Sequence, residues 1–443
     1  MEHKRILVAG KWRQAATVLA KMRSWTRSPS SAAFLKNFGI TFIFKALSLL
    51  LTLIVYVLAV RELGVITWGQ IALIASVANI MLIPLTFGLH NGVIKYVPVS
   101  TKEESKELMG TALIANLIPS CMTSILLIAA APVVESWFGF PLMNWIAAVA
   151  LAMSINLYIL TESFLRGQQL FFRLGLYKLI ASIVFLVGTA IGLYMLGERS
   201  ITSYMIPLIV QNVYFFVHAL LKSGISPWRY SFKLLKKLFS YSLFTMFSWL
   251  VSALLFTSDL FYVAHFGEQY ELGVYSIYQN TIRNLCSVLF HDVFAVVFMP
   301  LIAALNRRDV DAMVMKYSAP IFMLIWLGAA MLTTVLVLLY GVPLTWTYVG
   351  LTSAGIAMNM MYLLMTTVIA MDGVKAARCV FAALVIPIPA LQYLQYVLVK
   401  HWGMIGGMSS VIVINICLLI ALRITIRYFY HFQSVPLERE GSA

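Results

Sequence analysis

Apolar residues run along this chain in long blocks, and polar residues gather in the gaps between them. Twelve blocks stand out, at 38–60, 70–95, 108–130, 142–165, 173–196, 201–221, 238–266, 272–301, 317–340, 344–371, 379–399 and 403–426. Each is long enough to cross a bilayer as a helix, which takes about 20 residues. The pattern predicts an all-α polytopic membrane protein with twelve transmembrane helices.

The gaps alternate in charge. The first 36 residues carry Lys4, Arg5, Lys11, Arg13, Lys21, Arg23, Arg27 and Lys36. Gaps on the same side add Lys95, Lys102 and Lys106, then Arg166, Arg173 and Lys178, and further on Arg307, Arg308, Lys316, Lys375, Arg378, Arg423, Arg427 and Arg439. The opposite side holds Arg61, Arg199 and Lys400. Positive charge marks cytoplasmic loops, so both termini are expected inside. The longest inner gap, 222–237, contains Gly224, Pro227, Lys222, Arg229, Lys233, Lys236 and Lys237 and reads as a linker. The expected division is a basic cytoplasmic tail 1–36, an N-terminal six-helix lobe 37–221, the linker 222–237, a C-terminal six-helix lobe 238–426 and a cytoplasmic tail 427–443.

A repeat supports two lobes. Leu35-Lys36-Asn37-Phe38-Gly39-Ile40 aligns with Leu238-Phe239-Ser240-Tyr241-Ser242-Leu243, and at the same offset Gly64 falls on Gly267. One inserted residue then places Gly69 on Gly273 and Asn79 on Arg283. Both lobes start by running outward, so the repeats are parallel, related by an axis near the membrane normal, with a central cleft between them.

Within the blocks, polar residues form stripes. Tyr241, Thr245, Ser248, Ser252 and Asp259 share one helical face; Ser276, Asn280, Arg283, Ser287 and His291 share another. Asp259 lies about 12 Å below Gly267 and Arg283 about 15 Å below Gly273, so antiparallel limbs bring the two charges to one depth. Scattered Ser and Thr are explained by interhelical hydrogen bonding. A charge at mid-membrane costs about 2.5–3.5 kcal/mol on insertion scales and usually faces a bundle interior or a wet cavity. The charges favour a lined cavity. In the first lobe Asn37, Thr41, Lys45, Ser48 and Thr52 share a face, as do Ser76, Asn79, Thr86 and His90. Lys45, about 28 Å below Gly64 by helical rise, either snorkels to inner headgroups or serves as a cavity cation. His90 is a candidate titrating group, with plain hydrogen bonding as the simpler role. Glu162 and Arg166 are spaced for a local ion pair. Gly188 and Gly192 are spaced for close helix packing. Trp68, Trp137, Trp145, Trp346 and Trp402 fall near outer ends, as an aromatic belt would.

Composition agrees: 61% hydrophobic, 11% charged, mean hydropathy +0.89. The net charge of +15 follows the gaps and is topogenic, so no nucleic acid is expected. Cys121, Cys286, Cys379 and Cys417 lie inside apolar blocks and read as small core residues. Residues 1–36 lack the short apolar stretch of a cleavable signal peptide. No nucleotide loop, catalytic constellation or metal-binding motif is visible, and no cofactor is expected.

Val60-Arg61-Glu62-Leu63-Gly64 with Trp68-Gly69-Gln70 resembles the first outer turn of Wzx-type polysaccharide (O-antigen) flippases. Phe239-Ser240-Tyr241-Ser242-Leu243, leading through Asp259 to Leu272-Gly273-Val274-Tyr275-Ser276, is similar to the same family. So is Phe164-Leu165-Arg166-Gly167-Gln168-Gln169-Leu170-Phe171 after the fourth helix. The motifs are short, and the resemblance covers about 35–430. These flippases belong to the multidrug/oligosaccharidyl-lipid/polysaccharide exporter superfamily. The resemblance implies a V-shaped pair of six-helix lobes, alternating access and transfer of an undecaprenyl-diphosphate-linked oligosaccharide to the outer leaflet of the bacterial cytoplasmic membrane. It implies the lipid bilayer, a polysaccharide polymerase and chain-length proteins as partners, and leaves proton or sodium coupling open. Twelve helices, against the usual fourteen, argue against the lipid II branch. The candidate cavity residues are Lys45, Ser76, Asn79, His90, Ser248, Ser252, Asp259, Asn280 and Arg283. The alternatives are a cation-coupled drug exporter, for which Lys45 and Arg283 are the wrong sign; a glycan polymerase or ligase, for which a large outer loop is missing; and an assembly scaffold.

Overall fold

Helices occupy the apolar blocks in the computed structural model, which describes residues 29–138, 140–225, 230–289, 311, 314–370 and 374–429. Among the described residues there is no strand. The first half contains α1 (Pro29–Thr86), α2 (Leu89–Tyr96), α3 (Lys102–Ala129), α4 (Ala131–Phe138), α5 (Leu142–Gly167), α6 (Phe171–Ala190) and α7 (Thr202–Ser223). The second contains α8 (Phe232–Phe266), α9 (Gln269–Tyr275), a π turn (Ser276–Ile282), α10 (Arg283–Leu289), α11 (Ser318–Tyr340), α12 (Trp346–Ala370), α13 (Val374–Val385) and α14 (Ile388–Phe429).

Nine helices among the described residues are long and apolar enough to cross a membrane. The apolar part of α1 alone is 44 residues, about 66 Å if straight, against a hydrocarbon core of about 30 Å. Gly64 interrupts it at φ 80, ψ 165, a region essentially reserved for glycine. Gly403, at φ 52, ψ −132, interrupts α14 in the same way. Both breaks fall at outer gaps between apolar blocks. The chain is therefore a multi-pass, all-helical membrane protein. The second part of the eighth block, 290–301, lies outside the described residues, and with it His291. Helices α1 and α8 begin at Pro29 and Phe232, inside the stretches read from sequence as tail and linker. Proline is tolerated at the first helical position, where its missing N–H is no loss.

The packing is inverted relative to a water-soluble protein. Leu324, Leu327 and Met331 of α11 and Met122, Ile125 and Leu126 of α3 face outward, while Asn116, Asn156, Gln279, Asp259, Gln395 and Asn415 are buried. Apolar exteriors with polar interiors suit a lipid solvent. Cys121 faces outward rather than into the core, because one side of α3 meets lipid; Cys286 is buried. Gly188 and Gly192 admit α7 closely: added Cβ atoms there would lie 3.0 Å from Pro207 and 3.1 Å from Ser203. Trp68 departs from the belt expected of it. It is 3% exposed, donates its indole N–H to Thr281 Oγ1 at 3.3 Å, and packs against Tyr56 and Tyr204. Its neighbours across the interface offered both apolar contact and a hydroxyl. Trp346 and Trp402 are exposed near outer ends.

The two halves meet near both faces. On the outer side the Arg61 side chain donates to Leu339 O at 2.7 Å, and Gly69 meets Gly273. On the inner side Lys237 pairs with Glu104 at 3.5 Å, and Ser231 N donates to Thr111 Oγ1 at 3.0 Å.

Candidate functional site

Two charged clusters sit among the helices. The first joins α8 to the α9–α10 limb. Asp259 and Arg283, 1% and 9% exposed, form an ion pair at 3.1 Å between Oδ2 and Nη1. The Tyr275 hydroxyl donates to the same oxygen at 2.7 Å, and Arg283 Nη2 donates to Phe256 O at 2.7 Å. Asp259 Oδ1 accepts the N–H of Leu260 at 2.9 Å. Buried charges need both a partner and filled hydrogen bonds, and this cluster supplies them. Gly407 lets the Tyr275 ring in: a Cβ there would lie 2.9 Å from its edge. The Ser276–Ile282 π turn lies between Tyr275 and Arg283. Such bulges are frequent at functional sites. In this conformation the guanidinium is spent on protein groups.

The second cluster lies in the inner half of the first lobe. Glu162 Oε1 accepts from Lys178 at 2.7 Å and pairs with Arg166 at 2.5 Å. Lys45 lies within electrostatic reach of Glu162, Arg166 and Lys178, and His90 within reach of Glu162 and Arg166. Glu162 and Lys178 are mostly buried, whereas the Arg166 side chain is 43% exposed, so the cluster opens at the inner end. Three basic side chains, Lys45, Arg166 and Lys178, thus lie near one carboxylate, Glu162. A net charge in low dielectric attracts a counter-ion far more strongly than in water. The His90 ring meets Trp249 of the other lobe at 5.6 Å, so this cluster adjoins the boundary between the halves.

Of the other residues read from sequence, Ser76 is buried in α1, Asn79 is exposed on it, and Ser252 is half-buried on α8. The side chains of Ser248 and Asn280 lie outside the described set, as do those of Asn37, Thr41, Tyr241, Thr245 and Ser287. The structure brings Asp259 to Arg283, and brings Lys45 and His90 each within reach of Glu162 and Arg166. It does not bring these two groups together. Lys178 and Tyr275 were not anticipated. Lys178 was counted with an inner gap, yet it lies seven residues into α6, about 10 Å along the helix. Tyr275 stands in the sequence only as part of the Leu272-Gly273-Val274-Tyr275-Ser276 motif. Neither position carries a sequence signal apart from its place within a helix. Among the described residues no His/Cys/Asp/Glu group is arranged to hold a metal.

The fold is shared with solved transporters. An inward-facing multidrug-resistance MATE transporter of the MOP superfamily is 15% identical, with a TM-score of 0.60 over 86% of this chain and 94% of its own. The lipid II flippase MurJ, in an inward closed conformation, is 16% identical, with a TM-score of 0.60 over 87% of each chain. A MOP-superfamily transporter from Pyrococcus furiosus, described by the reverse polarity of its binding pocket, is 15% identical, with a TM-score of 0.51 over 91% of this chain and 96% of its own. No curated protein matches the sequence. The family model described as "Polysaccharide biosynthesis protein" matches residues 57–342, well over half of the chain and on both sides of the boundary between the lobes. The chain thus belongs to the polysaccharide biosynthesis protein family, and it has the fold of MOP-superfamily transporters.

Proposed function

We propose that this protein is a lipid-linked oligosaccharide flippase of the bacterial cytoplasmic membrane. It moves an undecaprenyl-diphosphate-linked glycan from the inner to the outer leaflet by alternating access, for surface polysaccharide biosynthesis. A glycan on a diphosphate cannot cross about 30 Å of hydrocarbon unaided, since its hydroxyls and charges would lose their water without replacement. It needs a hydrated path with fixed positive charge at the entry.

The observation that carries this reading is the second charged cluster, in which Arg166 and Lys178 pair with a single carboxylate, Glu162, Lys45 lies within its electrostatic reach, and Arg166 is exposed. Lys45 helps capture the diphosphate from the inner leaflet. Arg283, once released from Asp259, offers a second cation nearer mid-membrane. Ser76, Asn79, His90, Ser248, Ser252 and Asn280 contribute polar lining. Both termini are cytoplasmic, and the exported glycan passes to a polymerase and chain-length proteins in the same membrane. The experiment is export in a strain lacking its native flippase. Lys45→Ala abolishes surface glycan while inserting normally, and Lys45→Arg retains much of it. Normal export by Lys45→Ala would leave Lys45 as a snorkelling residue and remove the capture step.

A further inference from the structure

A seam on the outer half of the second lobe repeats every four residues. Ser258, Tyr262 and Phe266 on α8 run beside Gln392, Tyr396 and Lys400 on the first limb of α14. The limbs are parallel, so the residues form rungs. Gln392 Nε2 donates to Ser258 Oγ at 2.9 Å, and the Tyr262 hydroxyl donates to Gln392 Oε1 at 3.1 Å. The Tyr262 and Tyr396 rings meet edge to face at 5.9 Å, and Phe266 meets Tyr396 at 5.4 Å. Lys400 Nζ lies 5.7 Å from the Tyr396 ring. From Ser258 to Phe266 the rise is about 12 Å, from the level of Asp259 to the outer end of α8.

The seam is half open. Tyr262, Gln392 and Tyr396 are half-buried, and Phe266 is 36% exposed. Two polar contacts that join helices elsewhere in this chain are more closed. Asn116 and Asn156 hydrogen-bond at 0–1% exposure, and Gln395, which accepts from Ser258 and donates to Ser410, is 1% exposed. Gln392 Nε2 also donates to Leu254 O at 2.7 Å, yet an amide and phenols half open to hydrocarbon would still be costly, which argues for water on the open side. The seam is also neutral until its outer end, where Lys400 stands. Amides and phenols donate and accept at once, and aromatic faces, with their negative quadrupole, receive the C–H face of a ring. That is the chemistry of an uncharged carbohydrate and not of a phosphate.

We propose that this seam is a glycan-contacting strip, a few sugar rings long, which holds the neutral part of the cargo while cations elsewhere hold its diphosphate. The inference rests on the flippase reading. The test is binding of purified protein to two probes: undecaprenyl diphosphate, and the same lipid bearing a trisaccharide. The wild type should bind the glycosylated lipid about tenfold more tightly. Tyr396→Leu and Tyr262→Phe should remove most of that tenfold difference and leave the affinity for the bare lipid unchanged. Tyr396→Trp should retain it. Tyr262→Phe keeps the ring and loses only the hydroxyl, so it remains a folded comparison if Tyr396→Leu does not fold. Equal weakening toward both probes, or none, would reduce the seam to a helix contact. A wild type that binds the bare lipid as well as the glycosylated one would overturn the strip and leave the flippase reading intact. A wild type that binds neither would overturn both.

Discussion

Gly69 and Gly273 meet backbone to backbone across the two halves of the molecule. A Cβ on Gly69 would lie 2.8 Å from the nitrogen of Gly273, and a Cβ on Gly273 would lie 2.2 Å from the carbonyl oxygen of Val65. The repeat aligns these two glycines with each other. The outer contact of the halves is thus built on a glycine pair.

Gly273→Ala should therefore loosen the outer contact between the lobes, since its neighbours are backbone atoms that cannot turn aside. Overpacking costs about 1–3 kcal/mol. The unfolding midpoint in detergent should fall, and a cysteine pair placed across the outer contact should crosslink less. Gly350→Ala, where nothing lies within 4 Å of the added atom, is the control. An unchanged midpoint and crosslinking yield for Gly273→Ala would show that the contact yields at no cost.

The Asp259–Arg283 pair predicts strong non-additivity. Removing one partner leaves the other buried, at about 3–5 kcal/mol, whereas removing both leaves no orphan charge. Asp259→Asn and Arg283→Gln should each lower the unfolding midpoint markedly, and the double variant should fall well short of their sum. Additive losses would mean that the two side chains act independently. Tyr275→Phe, which deletes a single hydrogen bond to the carboxylate, should cost about 1.5–3 kcal/mol.

The blocks and the charged pair were legible because lipid enforces both rules. A span needs an unbroken apolar run, and a charge within it needs a partner at its own depth. Gly64 was legible as a turn because it follows one apolar block and precedes another. Trp68 was not, since proximity to an outer gap does not distinguish an interface from a lipid face. Lys178 was hidden because a basic residue near the inner end of a helix looks the same whether it snorkels or turns inward to Glu162. The Gln392–Tyr396–Lys400 spacing was present in the sequence, but it gains meaning only when Ser258 and Tyr262 lie beside it.

The positive-inside reading predicts sidedness. Arg199 is exposed, paired at 3.4 Å with Glu62 beyond the outer end of α6, and Lys233 is exposed near the start of α8. In a cysteine-free background, Arg199→Cys should react with an impermeant maleimide in intact cells, and Lys233→Cys should react only after the membrane is opened. The reverse pattern would invert the topology.

The inner cluster makes the last prediction. Glu162 is shared by Arg166 and Lys178, so the consequences of losing each member differ. Lys178→Gln leaves the Arg166–Glu162 pair, and the loss should be modest. Glu162→Gln leaves Lys178 and Arg166 facing each other, with Lys45 nearby and their shared carboxylate gone, and the unfolding midpoint should fall much further. The uncompensated cations attract an anion, and the exposed side of Arg166 gives access to them. A ligand that binds only the folded state stabilises it by RT ln(1 + [L]/Kd), about 2.7 kcal/mol at a hundredfold excess over Kd. Millimolar pyrophosphate should therefore raise the midpoint of Glu162→Gln by several degrees and that of Lys178→Gln by little. A rise of the same size in both variants would indicate a general salt effect, and no rise in Glu162→Gln would mean that the cluster does not accept a diphosphate when its own carboxylate is absent.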